Sequence, residues 1–206
     1  MNRLKCLLFM LFPVLICSCN QNNEEGYVIK GKIDNMPDGH IYLMERVNKV
    51  YYVNSETTVV NGEFTFEGSV VEPGPMFLAV EDSTRFFQFF IENKKMTIYG
   101  NKDVPQDIKI KGSKLNDLYL GYRRDLMSLE AKERVLYDEY SKHDVESEEK
   151  QLLEEKIAEV EKGYKNLVDS FVYENPESII SPNLILSQLY YYTLEELEAM
   201  YSVLKG

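Results

Sequence analysis

The sequence predicts an α+β protein: an antiparallel β-sandwich or partly open barrel, followed by a long helical hairpin and two short helices. Three observations predict it. From Tyr27 to Gly112 apolar residues fall in short runs of period two, bounded by Gly, Pro and Asn turns, which is the pattern of half-buried antiparallel strands. Past Gly112 the apolar period lengthens to three and four residues, as on an amphipathic helix. Ahead of both stands the opening MNRLKCLLFMLFPVLICSC, which is built like an export signal.

In that opening, Arg3 and Lys5 precede an apolar run from Leu7 to Ile16, and small residues follow. The run is shorter than the roughly 20 residues that a bilayer-spanning helix needs. Residues 1–18 therefore read as a cleaved signal peptide. Ile16-Cys17-Ser18-Cys19 resembles the bacterial lipobox: an aliphatic residue, a tolerant position, a small residue and cysteine. The resemblance implies that Cys19 becomes the lipid-bearing first residue of the mature protein, since bulky Ile16 disfavours Cys17. Each buried acyl CH₂ contributes about 0.8 kcal/mol, so several chains together hold a soluble domain at a membrane. Residues 19–26 then form a lipidated cysteine and a flexible polar tether, NQNNEEG after the thiol. The three cysteines of the chain are Cys6, Cys17 and Cys19. A mature chain with lipid on Cys19 has no thiol left for a disulfide, a CxxC redox pair or a nucleophile.

The 206 residues carry 23 Lys plus Arg against 34 Asp plus Glu, a net charge of −11, and loss of Arg3 and Lys5 makes the remainder more acidic. Nucleic acid is repelled by such a chain. The charge suits a solvated domain standing off an anionic membrane surface.

Along the β region, residues 27–112, Tyr27, Ile29 and Ile33 alternate with Lys30 and Lys32. Ile41 and Leu43 follow the Pro37-Asp38-Gly39 turn, and Phe64 and Phe66 follow Asn61-Gly62, a strong hairpin cue. Met76–Val80, Phe87–Ile91, Met96–Ile98 and Ile108–Ile110 complete seven or eight strands. In the helical region, residues 113–206, Leu115, Leu118, Tyr122, Leu126, Leu129, Leu136 and Tyr140 mark one long helix. Leu153, Ile157, Val160, Tyr164, Leu167 and Phe171 mark a second, from about Ser147 to Tyr173. The short polar link between them makes an antiparallel hairpin. Asn175-Pro176 ends the second helix. Ser181-Pro182 reads as an N-cap with proline at the first helical position, leading into a helix from Leu184 to Tyr192. Thr193 and Glu196 read as a capping box for a last helix.

YVIKGKIDNMPDGHIYL (27–43), VYYVNSETTVVNGEFTFEGSV (50–70), PGPMFLAV (73–80), FFIENKKMTIYG (89–100) and IKIKGSKLNDLY (108–119) resemble, in order and spacing, the DUF4369 domain at the front of many Bacteroidetes lipoproteins. TLEELEAMYSVLKG (193–206) is similar to the linker of family members that continue into a thioredoxin-like domain of the AhpC/TSA type, a thiol-disulfide oxidoreductase with a WCxxC-type site. This chain has no tryptophan and no CxxC, so the resemblance transfers no catalytic residue. It implies the non-catalytic front portion of such a protein, as a stand-alone form or as a truncation.

Other candidate sites have plainer readings. His40 and His143, the two histidines, lack ligand spacing and read as exposed polar residues. The acidic runs Glu146-Ser147-Glu148-Glu149 and Glu154-Glu155 lack the alternating oxygens and glycine of a calcium loop, so no metal is expected. Nucleotide, hydrolase and metalloprotease signatures do not occur, and no cofactor is expected. Phe86, Phe87, Phe89 and Phe90 on one strand point to cover on both faces, or to one face awaiting a partner. Tyr190, Tyr191 and Tyr192 dock either on the sheet or on a neighbour outside the chain. Asp82-Ser83-Thr84 resembles the O-glycosylation sequon of exported Bacteroidetes proteins, with Ser83 as acceptor, but also suits a plain turn.

The expectation is a non-catalytic accessory or binding module, lipid-anchored in the cell envelope, with the outer membrane ahead of the inner and an envelope protein as partner. Two alternatives stand beside it: an oxidoreductase that has lost its thioredoxin-like domain, and a surface lipoprotein that captures a ligand.

Overall fold

The computed structural model describes residues 26–81, 85–144 and 147–204; Cys19, the leader and Ser83 lie outside them. The strands are β1 (Tyr27–Asp34), β2 (Gly39–Val47), β3 (Val50–Val59), β4 (Glu63–Gly68), β5 (Gly74–Val80), β6 (Arg85–Ile91), β7 (Lys95–Asn101) and β8 (Lys109–Lys111). They form two four-stranded sheets, in the orders β4-β1-β7-β8 and β3-β2-β5-β6. Ile29, Ile33, Phe66, Met96 and Ile98 of the first sheet face Ile41, Leu43, Leu78, Phe89 and Ile91 of the second in one buried cluster. This is a sandwich rather than a barrel.

One pairing departs from the antiparallel expectation: β1 and β7 run parallel. The chain leaves the first sheet to build β5 and β6 in the second, and re-enters beside β1 in the same direction, as a crossover permits. The Asn61-Gly62 cue is a hairpin, with both residues at positive φ (53° and 76°), as a type I′ turn requires. Asp38 Oδ1 accepts the Asn61 N–H at 2.7 Å and ties this hairpin to the β1–β2 connection.

The helices are α1 (Lys114–Tyr140), α2 (Glu148–Glu174), α3 (Ile180–Ser187) and α4 (Leu194–Val203). Ser147 caps α2, Asn175 ends it, and the Thr193–Glu196 capping box is present in both directions. Two readings need correction. Ser181 is not the N-cap of α3; that position is Ile179. Ser181 lies fully buried inside the helix, where its Oγ donates to Asn175 O at 2.6 Å and so folds α3 back onto the end of α2. The expected helix from Leu184 to Tyr192 stops at Ser187 and gives way to a 3-10 turn over Leu189–Tyr191, because Tyr192 is drawn onto α2 by a hydrogen bond to Asp169.

The join between sandwich and helices is polar and buried. At Gly112 (φ 90°) an added Cβ would sit 2.2 Å from Lys95 O, so the sharp exit from β8 needs glycine. Ser113 caps α1, accepting the Asn116 N–H at 3.0 Å. The Asn116 amide, 0% exposed, then acts as a one-residue strand on the edge of β6. Its Oδ1 accepts the Phe90 N–H at 2.8 Å, and its Nδ2 donates to Phe90 O at 2.7 Å and to Ser113 Oγ at 2.8 Å. Ser113 Oγ donates in turn to Glu92 Oε1 at 2.5 Å, and Lys94 holds the other Glu92 oxygen at 2.6 Å. Every partner is satisfied, which is what makes burial of these groups tolerable.

The clasp brings Phe90 against Tyr119, ring edge to face at 5.1 Å. Phe90 thereby seeds a second core with Tyr122, Val168, Phe171, Val172, Ile180, Leu184 and Met200. Phe87 and Phe89 belong to the sandwich core. The aromatic strand β6 is thus covered on both faces, one by a sheet and one by helices.

Asn116→Asp keeps the shape but loses the two Nδ2 donations and places a carboxylate beside Glu92. It is expected to cost about 3 kcal/mol in urea denaturation, and Ser113→Ala a similar amount, because it removes the cap and also leaves Glu92 Oε1 and an Asn116 donor unpaired. Burial pushes the Tyr119 hydroxyl up to about 12, partly opposed by Arg123. A folded-state value above the unfolded one stabilises the protein fully below about pH 10, and the benefit is lost as pH rises toward 12. Wild-type stability is therefore expected to fall by roughly 2 kcal/mol across that interval through this group, and Tyr119→Phe to flatten that part of the curve.

Candidate functional site

The C-terminal segment builds a cleft of about 540 Å³ against the helical hairpin. Glu130 and Glu133 of α1, Glu161 and Tyr164 of α2, and Tyr191 beyond α3 line it. The hairpin supplies a fixed wall, because Tyr164 OH donates to Glu133 Oε2 at 2.7 Å across the two helices and Tyr140 OH does the same to Glu154 at 2.9 Å. Lys165 closes the opposite wall: it pairs with Glu196 of α4 and lies 5.0 Å from the centre of the Tyr192 ring. Tyr192 OH donates to Asp169 Oδ1 at 2.8 Å.

The electrostatics are one-sided. Among the described residues, Lys165 is the only cation in the lining, and Glu196 already answers it. The Lys165 hydrogen bond, helped by the Thr193 N–H, holds the Glu196 carboxyl below its usual range. Burial, then the accepting carboxylates Glu133 and Asp169, raise the hydroxyls of Tyr164 and Tyr192 well above the ordinary tyrosine range. Both phenols therefore stay protonated donors through neutral pH. Glu130 and Glu161 remain as acceptors beside an aromatic wall. This combination suits an ammonium or guanidinium group, which finds carboxylates and a ring face together.

The segment that carries Gln188–Tyr192 into the cleft also exposes apolar side chains. Leu186, Leu189 and Leu194 are exposed, Tyr191 is 73% exposed, Tyr190 94% and Tyr201 78%. Six large apolar side chains within sixteen residues exceed the scattered exposure normal for a surface. Of the tyrosine triplet, Tyr192 docks on α2 rather than on the sheet, Tyr191 lines the cleft while largely exposed, and Tyr190 is exposed.

Elsewhere the structure disperses the other candidates. His40 is exposed on β2, with the Tyr42 ring 6.3 Å away, and His143 meets Glu139 at 3.3 Å on the surface. Among the described residues no group of three His, Cys, Asp or Glu side chains could hold a metal ion. Ser113 and Glu92 form a hydroxyl–carboxylate pair, but at 3% and 8% exposure it is closed to substrate and belongs to the clasp. No described helix is long and apolar enough to cross a membrane.

Sequence reading missed two features. The cleft joins residues of α1 and α2 to Gln188–Tyr192, and no single segment announces it. On the outer face of the first sheet, the register aligns Thr65, Lys30, Thr97 and Lys111 in one row, and Glu63, Lys32, Tyr99 and Lys109 in the next. The Lys-x-Lys pairs of β1 and β8 were the available signal. Strand pairing, invisible in sequence, puts them on one face.

Tyr192→Phe leaves Asp169 without its donor and loosens the 3-10 turn. The expected loss is about 1 kcal/mol of stability, with faster chymotrypsin cleavage at Tyr190 and Tyr191 under native conditions.

No curated protein and no solved structure matches the chain. Residues 27–119, which take in all eight strands and the Asn116 clasp, match the family model described as Domain of unknown function (DUF4369).

Proposed function

We propose that this protein is a lipid-anchored, non-catalytic accessory module of the bacterial cell envelope that docks a protein partner through its C-terminal cleft. The carrying observation is an acidic, tyrosine-walled cleft lined in part by Gln188–Tyr192, in a segment, Leu186–Tyr201, that exposes large apolar side chains. Aromatic anchors within a polar rim are the usual anatomy of a protein interface. The partner is a polypeptide that presents a Lys or Arg flanked by aliphatic residues, the basic group entering between Glu130, Glu161 and Tyr191. The lipobox-like Ile16-Cys17-Ser18-Cys19 supports the anchor. The likeness of the front region to Bacteroidetes lipoproteins that continue into thioredoxin-like domains supports an accessory role beside redox chemistry carried elsewhere.

A photo-crosslinking amino acid placed at Tyr190 in bacterial cells tests this. A discrete adduct in the membrane fraction is expected, absent when the crosslinker sits at His40 and lost with Glu130→Lys combined with Glu161→Lys. Equal adducts at both positions would remove the docking site. Thiol-disulfide exchange by the purified protein with Cys19 blocked would remove the non-catalytic reading.

A further inference from the structure

The strand registers define two ends of the sandwich. β1 ends and β2 begins across a short connection, so the start of β1 and the end of β2 share the opposite end. Tyr27 lies opposite Gly68 and Val28 opposite Lys95, which places the close of β4 and the opening of β7 there too. Gly26, where the tether enters, and the β2–β3 turn are therefore at the same end of the molecule.

At that end the β2–β3 pair leaves its sheet. β5 accompanies β2 only as far as Met44, opposite Phe77. A register irregularity between Leu43 and Met44 marks the departure, as bulges commonly bend a strand pair. Beyond it Glu45 to Val50 are all exposed, and the ribbon runs on about 10 Å past its last pairing with β5 at an ordinary strand rise. Its tip turns through Asn48 and Lys49, both at positive φ. One face of this ribbon pairs Val47 with Val50 and carries Tyr52 opposite Glu45, and all three apolar side chains are exposed, Tyr52 at 57%. The other face packs on the sheet: Tyr51 lies under the Arg85 guanidinium of β6 at 3.9 Å and against Phe77 of β5, edge to face at 5.1 Å, with the Arg46 guanidinium at 5.7 Å.

The tip itself is basic, with Arg46 and Lys49 against Glu45. Aliphatic side chains at a turn, a tyrosine behind them and basic groups alongside are the chemistry of the membrane–water interface.

We infer that the β2–β3 ribbon is a second membrane contact, laying Val47, Val50 and Tyr52 into an anionic phospholipid surface with Arg46 and Lys49 at the headgroups. The inference rests on the Cys19 anchor for one step: residues 20–26 reach at most about 25 Å when fully extended, so an anchored chain holds this end toward the bilayer. The ribbon then fixes the tilt of the sandwich, which a lipid on a flexible tether alone does not.

The chain contains no tryptophan, so Tyr52→Trp gives a single reporter, and Val60→Trp gives one on an exposed residue at the far end. Each full-length protein, purified from membranes, is placed with vesicles of phosphatidylglycerol and phosphatidylethanolamine, or of phosphatidylcholine alone. The expected result is a blue shift at position 52 and quenching by brominated lipid in the anionic vesicles, with no change at position 60. Both signals at position 52 should be lost when Arg46→Glu and Lys49→Glu are added, or in high salt. An unchanged position 52 in anionic vesicles, or equal quenching at 52 and 60, overturns the inference. The mass of the same protein reports acylation of Cys19 separately. An unacylated chain overturns the anchor, while the reporter at position 52 still decides the ribbon.

Discussion

Everything beyond the sandwich hangs on one side-chain amide. β6 is the last strand of its sheet, and an open edge is a liability because its backbone groups seek partners. Asn116 answers Phe90 at both N–H and C=O, so the first turn of α1 substitutes for the strand that is missing. A helix has no backbone groups to offer a sheet edge, and the carboxamide, with one acceptor and two donors, is suited to imitate them. Once Phe90 is pinned there, its ring lies against Tyr119, and the second core grows from that contact through α2 and α3.

That join gives the two halves a fixed relation. The sandwich holds the tether and the ribbon at one end, and the helices hold the acidic cleft. Because α1 starts beside Glu92 and Lys94 at the tether end, the cleft is positioned from a buried, fully satisfied polar cluster instead of a loop. For the docking module proposed above, this join would set the orientation of the cleft relative to the sandwich. The paired helices extend the surface through hydroxyl–carboxylate links, Tyr164 to Glu133 and Tyr140 to Glu154, which use side chains that remain protonated at neutral pH.

Much of the fold was legible in the sequence because it depends on local signals. Period-two runs gave the strands, Asn61-Gly62 gave the hairpin, and the Thr193–Glu196 capping box is present as expected. What was not legible depends on pairing at long range. The parallel β1–β7 contact follows from the excursion of β5 and β6 into the other sheet. Ser181 has the residue type of a cap, but a partner six residues back, Asn175 O, decides its place. The tyrosine run 190–192 carries helical spacing, yet Asp169 captures its last member and breaks the helix. The site suffered most: the cleft assembles Glu130, Glu161 and Tyr191 from three separate segments, and the ribbon tip is visible only once Met44 is seen to be the last residue of β2 that β5 accompanies.

The helical layer and the sandwich form one unit through the Asn116 clasp. Hydrogen exchange at the Phe90 amide, whose only strand-like partner on the outer edge is a side chain, tests it most directly. This amide is expected to exchange only with global unfolding, at the same free energy as the central Ile98 amide of β7. Exchange of Phe90 through a partial opening that leaves Ile98 protected would show that the helices detach independently, and would contradict it.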